Sequence, residues 1–181
     1  MSQIFGDIRQ VAMVVHDVNA AMRQWAQVGV GPFGVLGNFR PQNYVYRGQP
    51  MTGPLLTLCF AQSGDVQIEL IQQHDDTPSA YIDFLGSGKE GCQHVCAWYA
   101  NHADYDAKRT ALLERGFTIV HEGESAAPRS RFAYFETRLP GGLMFEISEA
   151  TLPEFMPLWQ LLEERTRNWD GRELILKLPT A

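Results

Sequence analysis

Four polar side chains interrupt apolar runs of this 181-residue chain: Gln10 in IRQVAMVV, Glu69 in VQIEL, His94 in GCQHVCAWY and Glu146 in LMFEIS. Two carboxylates, an imidazole nitrogen and an amide oxygen make a mixed set suited to Zn²⁺, Ni²⁺, Co²⁺, Mn²⁺ or Fe²⁺, with positions left open for water or substrate. The two glutamates also neutralise a divalent cation. Such an ion acts as a Lewis acid on a carbonyl, stabilising the enolate or enediolate that forms when a neighbouring base removes an α-proton. This chemistry exists only if residues far apart in the sequence converge, so the elements that carry them decide the matter.

Residues two apart on a strand share a face. In Val66 to Leu70, Gln67 and Glu69 therefore oppose Val66, Ile68 and Leu70. In Leu143 to Ser148, Glu146 and Ser148 oppose Leu143, Phe145 and Ile147. Cys92, His94 and Cys96 also fall on one face, but neighbours along a single strand point the same way instead of surrounding an ion, so the cysteines read as small cavity-wall residues. His74-Asp75-Asp76 precedes Thr77-Pro78 and reads as a solvated turn capping the next helix. His16, His102 and His121 stand at element ends and carry no specific signal.

The carrying elements occur twice over. A strand from Ile8 to Val15, an Asp17-capped helix from Val18 to Val28 stopped by Gly29, and strands at Pro32 to Phe39, Leu55 to Ala61 and Val66 to Gln72 read βαβββ. After a short helix around Pro78 to Leu85, the pattern returns. A strand from Gly91 to Tyr99, a helix from Asp104 to Arg115 stopped by Gly116, and strands at Phe117 to Glu122, Arg131 to Arg138 and Leu143 to Ser148 again read βαβββ. Two such units packed about a local two-fold axis would enclose one cavity. Gln10 and Glu69 occupy the first and fourth strands of one unit, His94 and Glu146 those of the other, so all four could meet there.

Beyond the repeat, Thr151-Leu152-Pro153-Glu154 has a capping-box pattern that predicts a helix start. Phe155, Leu158, Trp159 and Leu162 then form an apolar stripe that docks on the domain or on a subunit partner. Glu173 to Leu178 alternates as an edge strand or an arm. Residues 1–150 thus read as one domain, with modules at 8–73 and 91–150, and residues 151–181 as a C-terminal helix and arm.

Composition limits the partners. With 45% hydrophobic, 11% aromatic and 20% charged residues, the chain is a packing protein and not a disordered one. Fifteen Lys and Arg against 21 Asp and Glu give a net charge of −6, which disfavours nucleic acid and anionic lipid surfaces. The densest basic stretch, Pro128-Arg129-Ser130-Arg131, reads as a loop rim. No apolar run approaches the roughly 20 residues of a membrane helix. Three cysteines and no leader pattern point to a reducing cytoplasm.

The segments VQIELIQ, TPSAYIDFL, GCQHVCAWY and GGLMFEISE, in this order and spacing, resemble the vicinal oxygen chelate superfamily of glyoxalases, bleomycin resistance proteins and dioxygenases, most closely its methylmalonyl-CoA epimerases. The resemblance runs from about Ile8 to Ala150. It implies an α+β fold of paired βαβββ modules forming an open, eight-stranded barrel-like cavity, a homodimer, and a divalent metal held by Gln10, Glu69, His94 and Glu146. Epimerases of this type have His at the position of Gln10 and a general-base Glu where alignment puts Thr57. The order Gln, Glu, His, Glu is instead similar to the metal set of eukaryotic glyoxalase I, in which the glutamate at the place of Glu146 leaves the metal and acts as base. The arginine and asparagine that hold glutathione there fall on Val14 and Gln73, so glutathione is not expected.

The expected function is a metal-dependent isomerase, epimerase or lyase acting on a small carbonyl or acyl compound through an enolate or enediolate, with Glu146 as base and Glu69 second. One alternative is a metal-free binding module of the same superfamily, drug-sequestering or regulatory; another is an extradiol-type dioxygenase, which would need two His and one Glu around iron. The cavity walls are expected from Phe33 to Tyr46 and Gly123 to Arg131, with Tyr44, Tyr46 and Arg131 as substrate contacts.

Overall fold

A computed structural model describes residues 2–126 and 129–176. β1 (Ile8–Val14) turns Val11 and Met13 to one face and Gln10, Ala12 and Val14 to the other. Asp17 ends the extended run and caps α1 (Val18–Gln27), accepting from the Asn19 and Ala20 N–H groups at 2.8 and 3.0 Å. The helix lays Val18, Ala21 and Met22 over Val11, Met13, Ile68 and Leu70, and the chain leaves it through Gly29 at φ +85°. β2 (Phe33–Phe39), a hairpin of β3 (Gln42–Tyr46) and β4 (Gln49–Pro50), then β5 (Leu56–Ser63) and β6 (Val66–Gln73) complete the first half.

Ser79 caps α2 (Ala80–Gly86), which leads into β7 (Gly91–Trp98). Asn101 caps α3 (His102–Glu114), whose Tyr105 and Leu112 pack on Val95, Phe145 and Ile147. β8 (Ile119–Ala126), β9 (Arg129–Phe135), β10 (Met144–Ser148), α4 (Met156–Arg167) and β11 (Ile175–Leu176) follow. No described helix is long and apolar enough to cross a membrane.

Among the described residues all strands join one mixed sheet, in the order β11-β2-β5-β6-β1-β7-β10-β9-β8-β3-β4, whose ends do not meet. Around the antiparallel β1/β7 pair the order is symmetric: β6, β5 and β2 leave on one side, β10, β9 and β8 on the other. Each first strand runs parallel to the fourth strand of its own half. This is the α+β architecture of two βαβββ units around an open cavity, with three strands added to the expected eight.

No strand is expected between Phe39 and Leu55, yet Arg47 and Gly48 both take positive φ, +47° and +77°, the conformation of a two-residue hairpin turn. β3 crosses to pair with β8, so the first half reaches into the second. β11 pairs in parallel with β2, placing Ile175 beside Phe33 as an edge strand of the same chain; residues 177–181 of the expected arm lie outside the described residues. The basic stretch is strand and not rim at Arg129, Ser130 and Arg131, which open β9, while Pro128 lies outside the described residues.

The helix expected at Thr151 starts instead at Met156, with Phe155 at the cap position and no side-chain cap. Pro157 is the reason: proline is tolerated in the first helical turn, whereas a start at Thr151 would put it in the helix interior.

Candidate metal centre

The register of the four central strands sets two adjacent rows on the cavity face. In one, Ala12 stands between Glu69 and His94; in the other, Gln10 stands between Gln67 and Cys96, and Cys96 is followed by Glu146 and Tyr134. Ala12 presents only a methyl group, which lets the side chains on either side meet above it. His94 Nε2 lies 3.1 Å from Glu146 Oε2 and 3.7 Å from Glu69 Oε2, and the ligating atoms of all three residues fall within 4.8 Å of one another. His94 is fully buried; Glu69 and Glu146 are each 6% exposed.

A β-bulge aims the imidazole. The register with β1 skips from His94 to Cys92, leaving Gln93 as the extra residue. Gln93 is buried, gives its Nε2 to the Ala80 carbonyl at 2.8 Å and turns Oε1 to His94 Nδ1, also at 2.8 Å. Nδ1 must therefore carry the hydrogen, and the lone pair of a neutral ring points from Nε2 toward two carboxylates. In the neutral ring Nε2 has no donor to accept from and, among the described residues, only the two carboxylates face it. Oxygen and nitrogen lone pairs crowded this way repel unless a cation lies among them. Metal bonds of about 2.0–2.2 Å place neighbouring ligands roughly 3.0–3.5 Å apart, so His94 and Glu146 stand at ligand spacing and Glu69, 3.7 Å from His94, needs to close by only a few tenths of an ångström for the three to hold a divalent ion.

Without that ion a proton must serve. Burial alone would depress the imidazole, but Glu146 and Glu69 prevail and lift His94 to about 9. Burial and the neighbouring Glu146 hold the Glu69 carboxyl above its ordinary range, against the pull of His94.

Gln10 lines the same cavity, but its Nε2 is committed to Gln67 Oε1 at 2.8 Å, so any ligand it offers is the amide oxygen. Cys96 is buried, its thiol pushed well up by burial and then by Glu146, which makes it wall and not thiolate. Cys92, expected on the same face, is exposed because the bulge at Gln93 breaks the alternation between it and His94. Thr57 faces away and bonds His74 through Oγ1 to Nε2 at 2.7 Å, while Leu56, Leu58 and Phe60 present β5 to the cavity. Asp75 pairs with Arg40 at 3.0 Å and accepts from the Leu55 and Thr77 N–H groups, so the His74 segment is a turn, though Ser79 does the capping.

The cavity measures about 160 Å³. The expected walls contribute Leu36, Phe39, Ser125 and Ser130, but much of the lining comes from β5, β9 and, unexpectedly, α4, through Phe155, Leu158 and Trp159. The apolar stripe of α4 thus docks on its own domain as one wall of the site.

Tyr44, Tyr46 and Arg131 stand apart from this lining. Tyr44 is buried with its hydroxyl 2.8 Å from His121 Nδ1, Tyr46 bonds Asp83 at the surface, and Arg131 holds Glu149 and Asp106 at 2.6 and 2.7 Å. His121, without signal in the sequence, is wholly buried among Tyr44, Tyr81 and Tyr134, and burial, aided by His94, lowers it to about 3. Tyr81 in turn donates to the Tyr134 hydroxyl at 3.1 Å, beside His94.

Residues 9–135 match the family model of the Glyoxalase/Bleomycin resistance protein/Dioxygenase superfamily. No curated protein matches the sequence. Among solved structures, a methylmalonyl-CoA epimerase from Mycobacterium tuberculosis is similar with a TM-score of 0.53 at 19% identity, over 82% of this chain and 90% of that one. A Streptomyces coelicolor methylmalonyl-CoA epimerase variant, in complex with 2-nitronate-propionyl-CoA, gives 0.55 at 19% identity, over 80% and 94%. A hypothetical protein from Bacillus halodurans gives 0.54 at 14% identity, over 78% and 92%. At these identities the likeness is one of fold.

Proposed function

Because this chain belongs to the Glyoxalase/Bleomycin resistance protein/Dioxygenase superfamily, we propose that it is a divalent-metal-dependent isomerase, epimerase or lyase acting on a carbonyl or acyl compound through an enolate or enediolate. The observation that carries this reading is the buried His94 Nε2 facing two carboxylates, Glu69 and Glu146, which themselves line a cavity open to a small molecule. Glu69, His94 and Glu146 would hold the ion, with the Gln10 amide oxygen as a fourth ligand. When bound, a divalent ion supplies Lewis-acid stabilisation to developing enolate oxygen.

The chain's own groups supply the rest. β5 turns no carboxylate into the cavity, so a base must come from the ligand set itself. Glu146 takes the α-proton and returns it, with Glu69 second. Both are buried and line the cavity, and burial holds the Glu69 carboxyl above its ordinary range. Gln93 holds the imidazole in one tautomer, and the aromatic wall excludes water from the reacting carbon.

A second reading, a metal-free binding module, is favoured by the commitment of Gln10 to Gln67 and by the apolar face of β5. Solvent deuterium exchange into 2-oxo and acyl-CoA compounds by the metal-loaded protein separates the two. Exchange that is lost in Glu146→Gln supports the enzyme; binding without exchange supports the module. Oxygen consumption would point instead to a dioxygenase.

A further inference from the structure

The cavity lining combines polar and aromatic groups. Gln10, Gln67, Glu69 and Glu146 bring amides and carboxylates, and Ser125, Ser130 and Ser148 bring hydroxyls, while Phe39, Phe60, Trp98, Phe132 and Trp159, from five different elements, contribute aromatic rings to the walls. The aromatic wall is held in place. Trp159 stacks on Trp98 with centroids 5.8 Å apart at 17° and meets the Phe60 ring edgewise at 5.7 Å, while its Nε1 donates to the Ala150 carbonyl. Phe155 extends the stack at 6.2 Å and 14°.

Size and charge restrict what enters. An apolar cavity of roughly 150 Å³ accepts a benzene ring, close to the 160 Å³ found here. Among the described residues that line it there is no lysine or arginine. Nearby cations are engaged: Arg129 with Glu124 at 2.7 Å, Arg131 with Glu149 and Asp106, and Arg9 over the Trp98 ring at 5.8 Å. A ligand carrying several phosphates would meet two carboxylates and no lining cation to answer its charge.

We propose that the substrate is a carbonyl compound bearing an aromatic ring, with the ring against Trp98, Trp159 and Phe60 and the oxygens directed to Glu69, His94 and Glu146, and not a nucleotide-linked thioester. The placement of the oxygens rests on the metal-centre reading above; that of the ring rests on the aromatic wall alone.

Three probes test this by calorimetric titration of the metal-loaded protein: phenylpyruvate, pyruvate and propionyl-CoA. Phenylpyruvate should bind at least about tenfold more tightly than pyruvate, as burial of one ring implies, and more tightly than propionyl-CoA. Trp159→Ala should weaken phenylpyruvate binding more than pyruvate binding, so that the ratio between the two falls toward one. Phe60→Leu should reduce that ratio and serves if the first variant fails to fold. Equal binding of phenylpyruvate and pyruvate, or tighter binding of propionyl-CoA, overturns the inference. Repeating the titration after chelation separates the two claims. A ring-dependent gain in a protein that never retains metal supports this inference while the proposed function fails. Retained metal with no such gain does the reverse.

Discussion

In the metal-free protein a proton on His94 stands where the proposed ion would sit, so metal and proton must compete. His94 is lifted to about 9 by Glu146 and Glu69 against the opposing effect of burial, so at pH 7 the protonated ring exceeds the neutral one by about a hundredfold. Each ion bound there should release about one proton, and apparent affinity should fall about tenfold for each pH unit between about 9 and 7. Below that range the raised Glu69 carboxyl adds a second proton and steepens the fall. The same competition acts on stability. A folded value above the ordinary one, roughly 6.5 for histidine, means that the metal-free protein holds the full contribution of the charged ring below that pH and loses it as pH rises through about 9. The metal-loaded protein should show no such loss. Calorimetric titration in two buffers of different ionisation enthalpy counts the released protons, and thermal melts with and without metal from pH 6 to 10 follow the stability. Proton release near zero at pH 7, or metal-free melting temperatures flat to pH 10, would refute the arrangement of a single buried imidazole shared by two carboxylates.

Further consequences follow from the surrounding contacts. Gln93→Leu leaves His94 Nδ1 and the Ala80 carbonyl unpaired in the interior; it should cost about 1–3 kcal/mol in denaturant unfolding and weaken metal binding about 10- to 100-fold through loss of the tautomer. Arg131→Met strands the buried Glu149 carboxylate, which Arg131 and His102 hold low against the opposing effect of burial. The loss should be about 2 kcal/mol at pH 7. Because a lowered carboxyl contributes stability only above its unfolded value, the gap between wild type and variant should shrink as pH falls through about 4 and below, as paired acid titrations would show.

Much of the fold is legible because its signals are local. Asp17 before an apolar helix, Gly29 and Gly116 after helices, and alternation in VQIEL each mark an element within a few residues. The repeat then places Gln10, Glu69, His94 and Glu146 on corresponding strands. What local signals lack is register. The β-bulge that makes Gln93 the support of His94 and turns Cys92 outward depends on how β7 pairs with β1, which no single segment encodes. Long-range packing hides the rest. Nothing in Gln42 to Tyr46 shows that it pairs with β8, and the stripe of α4 reads alike whether it covers a core, a partner or a cavity. His121 sits at a strand end in the sequence, yet three tyrosines from three other elements enclose it. Thr57 aligns with a family position but faces outward, because alignment gaps of one residue reverse the face of a strand.

The central claim is that Glu69, His94 and Glu146 form a metal centre, and metal content tests it most directly. The purified chain, equilibrated in turn with Zn²⁺, Ni²⁺, Co²⁺, Mn²⁺ and Fe²⁺ and then dialysed, should retain about one ion per chain with at least one of them. His94→Ala and Glu146→Gln, checked for folding by circular dichroism, should each lose it. Wild-type protein that retains none of the five, or variants that retain as much as wild type, would contradict the account.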